Sequence, residues 1–421
     1  MRLPVPPEKP SAKRAAKTVV ERDLSGWRHL ERFVELLERH KEQSPANARE
    51  THGLRDLDRR SYLSLFLLGL FNPVVESMRG VCRASALPKV RELAGVAGQV
   101  GISSFSDAQK VYDPQLLQPV IGTLLAESFQ AAGAGVGLLN IPGGGRLSAA
   151  ALRVVDSTVW KVLPRMQWAH WRHQNKAQNA VRLHVKLRLA DLQPDAGTIL
   201  EPAKGCERAA LRRRLNPGEF YLGDRYYGED YQLFEQMRQK GCGFVIRLLN
   251  TSRYTIEGEA AKLDEAARAQ GVKLDAKVRL GHRGKGGTWR IIEFQKPGMA
   301  EMVRLVCSEE CCDLSAVEVM ELYRLRWQVE MFFRWLKCLV PCRHWFAESP
   351  RGVAMQVYLA LILALLLAQH NGRLPNKAMM EMLRWHQLGM MSDEELAAQL
   401  ARYEAQRAKR QAAAKQKSAK A

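Results

Sequence analysis

Acidic residues are scarce in this chain of 421 residues: 44 Asp and Glu stand against 64 Lys and Arg, a formal net charge of +20. That imbalance disfavours cationic partners and favours a polyanion, either nucleic acid or an anionic membrane surface. The apolar run that a membrane span requires is also missing. The longest candidate, Val357 to Ala368, is about twelve residues bounded by Gln356 and Gln369, and reads as a buried core helix. The first residues, MRLPVPPEKPSAKRAAK, lack an apolar core segment. A secretory signal is therefore not expected, and the eight cysteines are read as reduced thiols of a cytosolic protein. Zinc-type C-x2-C pairs are absent. Cys307, Cys311, Cys312, Cys338 and Cys342 follow C-x3-C-C and C-x3-C spacings, which suit packing thiols better than a metal site. No internal repeat is present.

What is there divides the chain into segments. Residues 1–20 are rich in Pro, Lys and Ala and are expected to be a disordered basic tail. Residues 21–145 read as helical. LSGWRHLERFVELLERH (24–40) has apolar residues at helical spacing, a second apolar stretch covers 61–78, and Ser104 or Ser106 is expected to cap a helix beginning near Asp107. Glycines at 132–145 mark a boundary. Strand patterns follow. RVVDSTVW (153–160) reads as a short strand ending in the carboxylate of Asp156. VRLHVKLRLA (181–190) alternates Val181, Leu183, Val185, Leu187 and Leu189 against Arg182, His184, Lys186 and Arg188, the pattern of a half-buried strand. His170, His173 and His184 suit polar surface positions better than a metal site. GTILEPA, FYLGD with Asp224 at its end, and CGFVIRLL read as further strands, with helices at 205–214 and 231–241 between them. This order describes an α/β domain with a mixed sheet. Residues 251–314 read as a β-rich insertion holding a short charged helix (262–270) and a basic turn, GHRGKGGTWR (281–290). A long helix at 314–337 and another at 353–369 come next. The tail from about 401 holds seven Lys or Arg and one Glu, and reads as a frayed helix or disordered chain.

The helix at 314–337 carries chemistry. On a helical wheel, Leu322, Leu325, Val329, Phe332, Phe333, Leu336 and Leu339 fall on one side. Tyr323, Arg326, Glu330, Arg334 and Lys337 fall on the other, with Trp327 beside them. A solvated face with ordinary ion pairs such as Arg326–Glu330 would look the same. Phosphodiester chemistry would nevertheless use this set: a carboxylate for a divalent metal, Arg and Lys for phosphates, Tyr for a phosphate oxygen, Trp for an unpaired base. One carboxylate does not suffice for phosphoryl transfer, which usually needs two ions held by several. Asp156 and Asp224 sit where strands would deliver them, although either could instead cap a turn. Three gathered carboxylates repel unless cations neutralise them, which points to Mg²⁺ or Mn²⁺.

YRLRWQVEMFFRWLK (323–337) matches the Y-x2-R-x3-E-x6-K signature of the insertion-sequence-four superfamily of DDE transposases, with Tyr323, Arg326, Glu330 and Lys337 at every spacing. VVDST around Asp156 and LGDRYYGEDYQLFEQM around Asp224 resemble that family's two aspartate blocks. The resemblance covers roughly residues 100–372. It implies a ribonuclease-H-like catalytic core (146–250 and 315–375) interrupted by the β-rich insertion (251–314). The two ends match the family less closely: the N-terminal helical domain (21–145) is expected to bind the DNA ends, although no helix-turn-helix is evident, and 376–421 reads as a C-terminal helical region with a basic tail. Asp156, Asp224 and Glu330 would hold two Mg²⁺ or Mn²⁺ ions. Tyr323, Arg326, Lys337, Arg334, Trp327, and Arg283, Lys285 and Trp289 of the basic turn would contact DNA. The implied activity is cut-and-paste movement of a bacterial insertion sequence through hairpin ends. It would be carried out by a homodimer that pairs the element ends, at the nucleoid and away from membranes. A metal-dependent nuclease and an inactive DNA-binding protein are the alternatives.

Overall fold

The computed structural model describes residues 25–419, apart from 44–46, 53–54, 56, 73–74, 76, 132–146, 174–175, 191–192, 196–198, 204, 283–285, 297, 340–344, 372–376 and 388–389. The tail at 1–20, the glycine-rich boundary at 132–145 and Cys342 fall outside the described residues.

Among the described residues six helices come first: α1 (Ser25–Arg39), α2 (Arg59–Phe71), α3 (Met78–Ala84), α4 (Pro88–Ala94), α5 (Ile102–Val111) and α6 (Gln118–Ala131). α1 follows the expected pattern, with Leu30, Phe33 and Leu36 buried at helical spacing. Asp58 caps α2 by accepting from the Ser61 amide at 2.6 Å. α5 begins at Ile102 rather than near Asp107, without a side-chain cap. Packing replaces the cap: Phe105, in the added turn, is fully buried against the rings of Tyr62 and Phe66.

The next stretch holds β1 (Leu152–Lys161), β2 (His170–His173), β3 (Lys176–Arg188), β4 (Gln193–Pro194), β5 (Ile199–Pro202), α7 (Glu207–Arg212), β6 (Phe220–Gly223), α8 (Tyr231–Gln239) and β7 (Gly243–Arg247). It continues with β8 (Tyr254–Ile256), α9 (Glu265–Ala269), β9 (Val272–Leu280), β10 (Thr288–Phe294) and β11 (Val303–Cys307). The eleven strands among the described residues form one sheet, ordered β2-β3-β1-β6-β7-β11-β10-β9-β8, with β4 and β5 also paired to β3. β1, β6 and β7 run parallel, and their outer neighbours are antiparallel. The stretch 251–314 thus continues the sheet, because β11 pairs with β7.

β3 departs from the half-buried pattern. Both of its faces are covered, and His184 and Lys186 are 3% and 2% exposed. Both side chains find a partner, although the buried Nδ1 of His184 makes no hydrogen bond. Lys186 Nζ donates to Glu219 Oε2 at 2.6 Å and to the Arg214 carbonyl at 2.9 Å. Arg153 and the Tyr221 hydroxyl bond the same Glu219 carboxylate. His184 Nε2 stands 2.8 Å from Glu201 Oε1, and burial pushes its imidazole down to about 4. His184 is therefore a neutral interior group and not a surface histidine. Alternating polar residues look alike in sequence whether water or buried carboxylates face them.

Among the described residues five helices follow: α10 (Ala316–Arg324), α11 (Trp327–Leu339), α12 (Pro350–Asn371), α13 (Lys377–Gln387) and α14 (Asp393–Ala419). The expected single helix at 314–337 is two. Ser315 starts α10 through a capping box with Glu318. At Leu325–Arg326 the backbone switches to i→i−3 bonds, with Arg326 N to Tyr323 O at 3.0 Å and Gln328 N to Leu325 O at 3.0 Å. α12 is apolar around its whole circumference, as buried helices are. It packs against α2, α5, α6 and α11. Pro350–Leu367 is long and apolar enough to cross a membrane by composition, but 83% of it is buried inside the fold. Of the two readings of the tail, frayed helix or disordered chain, the structure has the helix: α14 runs to Ala419.

Leu361→Ala removes a fully buried side chain at the middle of α12. It should lower the unfolding free energy by about 2–5 kcal/mol, read from the shift of a urea transition.

Candidate active site

Two neighbouring strands bring two carboxylates together. The sequence pattern ends the first strand at Asp156, but β1 runs on to Lys161, because Thr158, Val159 and Trp160 favour strand and Thr158 and Trp160 are buried. Asp156 therefore lies mid-strand, paired with Val185 of β3. On its other side β1 pairs in parallel with β6, Val154 opposite Leu222. Two residues further along each chain come Asp156 and Asp224, the latter just past the end of β6. Alternation turns Asp156 to the face of Val154 and Trp160, the face that α11 covers. Asp156 Oδ1 accepts from the Ser157 amide at 2.7 Å, and Asp224 Oδ1 from the Tyr226 amide at 2.9 Å. The turn after Asp224 sits directly on β7. A Cβ on Gly228 would collide with the Arg247 carbonyl oxygen, so only glycine permits this approach.

Burial, and after it the charge of Asp224, pushes the Asp156 carboxyl up to about 7. Glu330 is the third carboxylate. It lies in the first turn of α11 and bonds Arg326 Nη2 at 2.6 Å. Arg326 Nη1 stands 3.7 Å from Asp156 Oδ2, so one guanidinium bridges the strand carboxylate and the helix carboxylate. Tyr323 packs beside it, its ring 6.0 Å from the guanidinium carbon. Burial raises the Tyr323 hydroxyl; Arg326 opposes this and Asp224 adds to it.

The other sequence-named residues divide. Trp327 is 46% exposed, with the Arg334 guanidinium 5.4 Å above its ring, and Lys337 is exposed on the same helix. Trp289 departs from the expected DNA-facing role. It is 5% exposed, packs against Phe234 and Phe244, and donates to the Gly286 carbonyl at 2.7 Å. Strand alternation is the reason: Trp289 shares the buried face of β10 with Ile291. Arg290 turns inward too, pairing with both oxygens of Asp275 and donating to the carbonyls of Cys311 and Leu314, just ahead of α10. Arg283 and Lys285 lie outside the described residues.

A fourth carboxylate was not singled out by sequence. Glu207, at the start of α7, pairs with Arg182 and hydrogen-bonds the Ser157 and Tyr227 hydroxyls behind the two aspartates. Burial raises its carboxyl, Ser157 and Arg182 oppose this, and Asp224 adds to it. Its only sequence signal is the polar face of β3, which needs partners if buried.

Asp156, Asp224 and Glu330 offer oxygen ligands alone, which suits a hard divalent ion. Burial and the Asp224 charge together raise the Asp156 carboxyl, and a cation bound between the carboxylates would oppose both. Among the described residues no three His, Cys, Asp or Glu side chains stand together as ready ligands of one ion, and Glu330 is instead engaged by Arg326. The four described buried cysteines likewise form no such group.

Without divalent ions, folded chain holds the Asp156 proton at a pH where the unfolded chain has released it. The folded value is raised from 3.8 to about 7, so this contribution to stability is full below the unfolded value and is lost as pH rises through the folded one. Urea transitions of the metal-free protein should weaken across that window by on the order of a few kcal/mol more in wild type than in Asp156→Asn. Parallel profiles would contradict the assigned environment.

A family described as "Transposase DDE domain" matches residues 148–367, from just before β1 to most of α12. A putative transposase, y4zB, of Sinorhizobium fredii is 25% identical over 252 residues, covering 58% of this chain and 67% of that protein. A probable transposase for insertion sequence element IS5377 of Geobacillus stearothermophilus is 27% identical over 226 residues, covering 51% and 55%. The match thus spans about half the length of the second relative. A solved piggyBac transposase synaptic complex with hairpin DNA overlaps with a TM-score of 0.41 at 10% identity, over 85% of this chain and 77% of that one, too distant to carry an argument. Because the family match takes in just over half of the chain, including all three carboxylates, the protein belongs to the transposase DDE domain family.

Proposed function

We propose that the protein is a DNA transposase of a bacterial insertion sequence, cutting at terminal inverted repeats and joining 3′-hydroxyl ends to target DNA. The observation that carries this is the pair Asp156 and Asp224 on adjacent parallel strands, with Arg326 reaching Asp156 while it bonds Glu330, inside the family-matched region. The names of the two relatives point the same way. A ribonuclease-H-like core is part of the reading. It is supported by the order β5-β3-β1-β6-β7, antiparallel across the first pairs and parallel across the last two.

Asp156, Asp224 and Glu330 would hold two Mg²⁺ or Mn²⁺ ions. Bound there, the ions would make water or a 3′-hydroxyl nucleophilic and offset charge on the attacked phosphate. The remaining work falls to the chain. Arg326 and Lys337 hold phosphate oxygens beside the cleaved bond, and Tyr323 hydrogen-bonds another. The exposed ring of Trp327 stacks on an unpaired base. Ser157, Glu207 and Arg182 hold the Asp156 strand from behind. Nicking frees a 3′-hydroxyl that attacks the opposite strand, giving a hairpin end. Water opens the hairpin, and the 3′-hydroxyl then attacks target DNA. Two copies pair the element ends, and the reaction takes place at the nucleoid.

A labelled duplex carrying the element's own end, with Mg²⁺ or Mn²⁺, tests this. Wild type should nick it and then form a hairpin or joined product. Glu330→Ala should bind without cutting, a loss larger than the roughly 10²–10³-fold that one missing hydrogen-bond donor costs. Cutting without joining would indicate a nuclease. Binding without cutting by both proteins, in either metal with paired ends supplied, would leave a DNA-binding protein.

A further inference from the structure

The cation that meets the carboxylates in this chain is a guanidinium. Arg326 sits on the tightened turn between α10 and α11, its side chain 17% exposed, with one short bond to Glu330, a hydrogen bond with the Tyr323 hydroxyl and a longer approach to Asp156. It is incompletely held, since its buried Nε has no hydrogen-bond partner. Arg290 shows what a fixed arginine looks like in the same fold: two bonds to Asp275 and two to backbone carbonyls. An arginine planted between carboxylates with spare donors is a counter-ion that can be exchanged.

We propose that Arg326 is an exchangeable counter-ion coupling metal binding to DNA binding. In the metal-free chain it occupies the carboxylate site. It must release Glu330 and Asp156 before they can act as ligands, and the released guanidinium takes a phosphate of the bound strand. A phosphate that draws Arg326 away frees the carboxylates, so each ligand strengthens the other, as linkage requires. This rests on the metal and DNA reading given above. It also accounts for the absence, among the described residues, of three ready ligands around one point.

The test is Mn²⁺ binding to the full chain, followed by the electron paramagnetic resonance of the free ion, with and without a short duplex. Asp156→Asn, made in each background, defines the ion bound at this site. Arg326→Gln should bind Mn²⁺ about tenfold more tightly than wild type without DNA. Duplex should tighten wild-type binding by a similar factor and leave Arg326→Gln unmoved. Arg326→Lys keeps the charge, so it should stay near wild type without DNA and retain part of the response to duplex. A merely structural Arg326 gives the opposite result, weaker Mn²⁺ binding in both variants, and would overturn the proposal. Equal binding by wild type and Arg326→Gln, both sensitive to Asp156→Asn, would overturn the exchange alone. Wild-type binding insensitive to Asp156→Asn would overturn the metal reading and the exchange with it.

Discussion

Two carboxylates are set side by side by the parallel pairing of β1 and β6, where burial first and their mutual repulsion second raise the cost of charge. The register that sets Val154 opposite Leu222 leaves Asp156 and Asp224 at the same level of the sheet. Half-buried, they cannot both carry charge cheaply, and Asp156 is pushed up to about 7. The chain supplies one partial remedy in Arg326, which reaches Asp156 from the helical layer while bonding Glu330. On the proposed reading a divalent cation would relieve this tension, which a fixed arginine would otherwise resolve.

The sheet can hold that tension because it is braced on both faces. On one, α11 and α12 bury Val154, Trp160, Val185 and Leu222. On the other, Lys186, Arg153, Tyr221 and Glu219 form a buried, hydrogen-bonded layer beneath the strands that position Asp156 and Asp224. Buried charges of this kind hold geometry through their mutual bonds more than they add stability. The strands at 251–314 contribute as well. Arg290 of β10 bonds the carbonyls of Cys311 and Leu314, tying the sheet to the segment from which α10 departs, and so to the helix pair that carries Tyr323, Arg326 and Glu330.

Much of the architecture was legible from short patterns. The alternation in VRLHVKLRLA gave a strand, and the apolar stripe through Leu322, Val329, Phe332 and Leu336 gave the buried side of α10 and α11. Three features were not legible, each for a physical reason. The break at Arg326 contains no Pro or Gly, and only the i→i−3 bonds reveal it. The burial of His184 and Lys186 depends on Glu201 and Glu219, which lie elsewhere in the chain. Glu207 joins the site through Ser157 and Arg182, contacts that only the folded sheet creates. Trp289 is a different case. Its place in a basic turn suggested a DNA contact, while its alternation with Ile291 on β10 carried the signal for burial.

The most direct test is anomalous diffraction from crystals of the full chain grown with Mn²⁺ and a duplex of the element's end. Anomalous density between Asp156 and Asp224, with Glu330 turned onto it and Arg326 on a phosphate, is the expected result. Manganese elsewhere, or none with the Arg326–Glu330 pair intact beside bound DNA, would contradict the account.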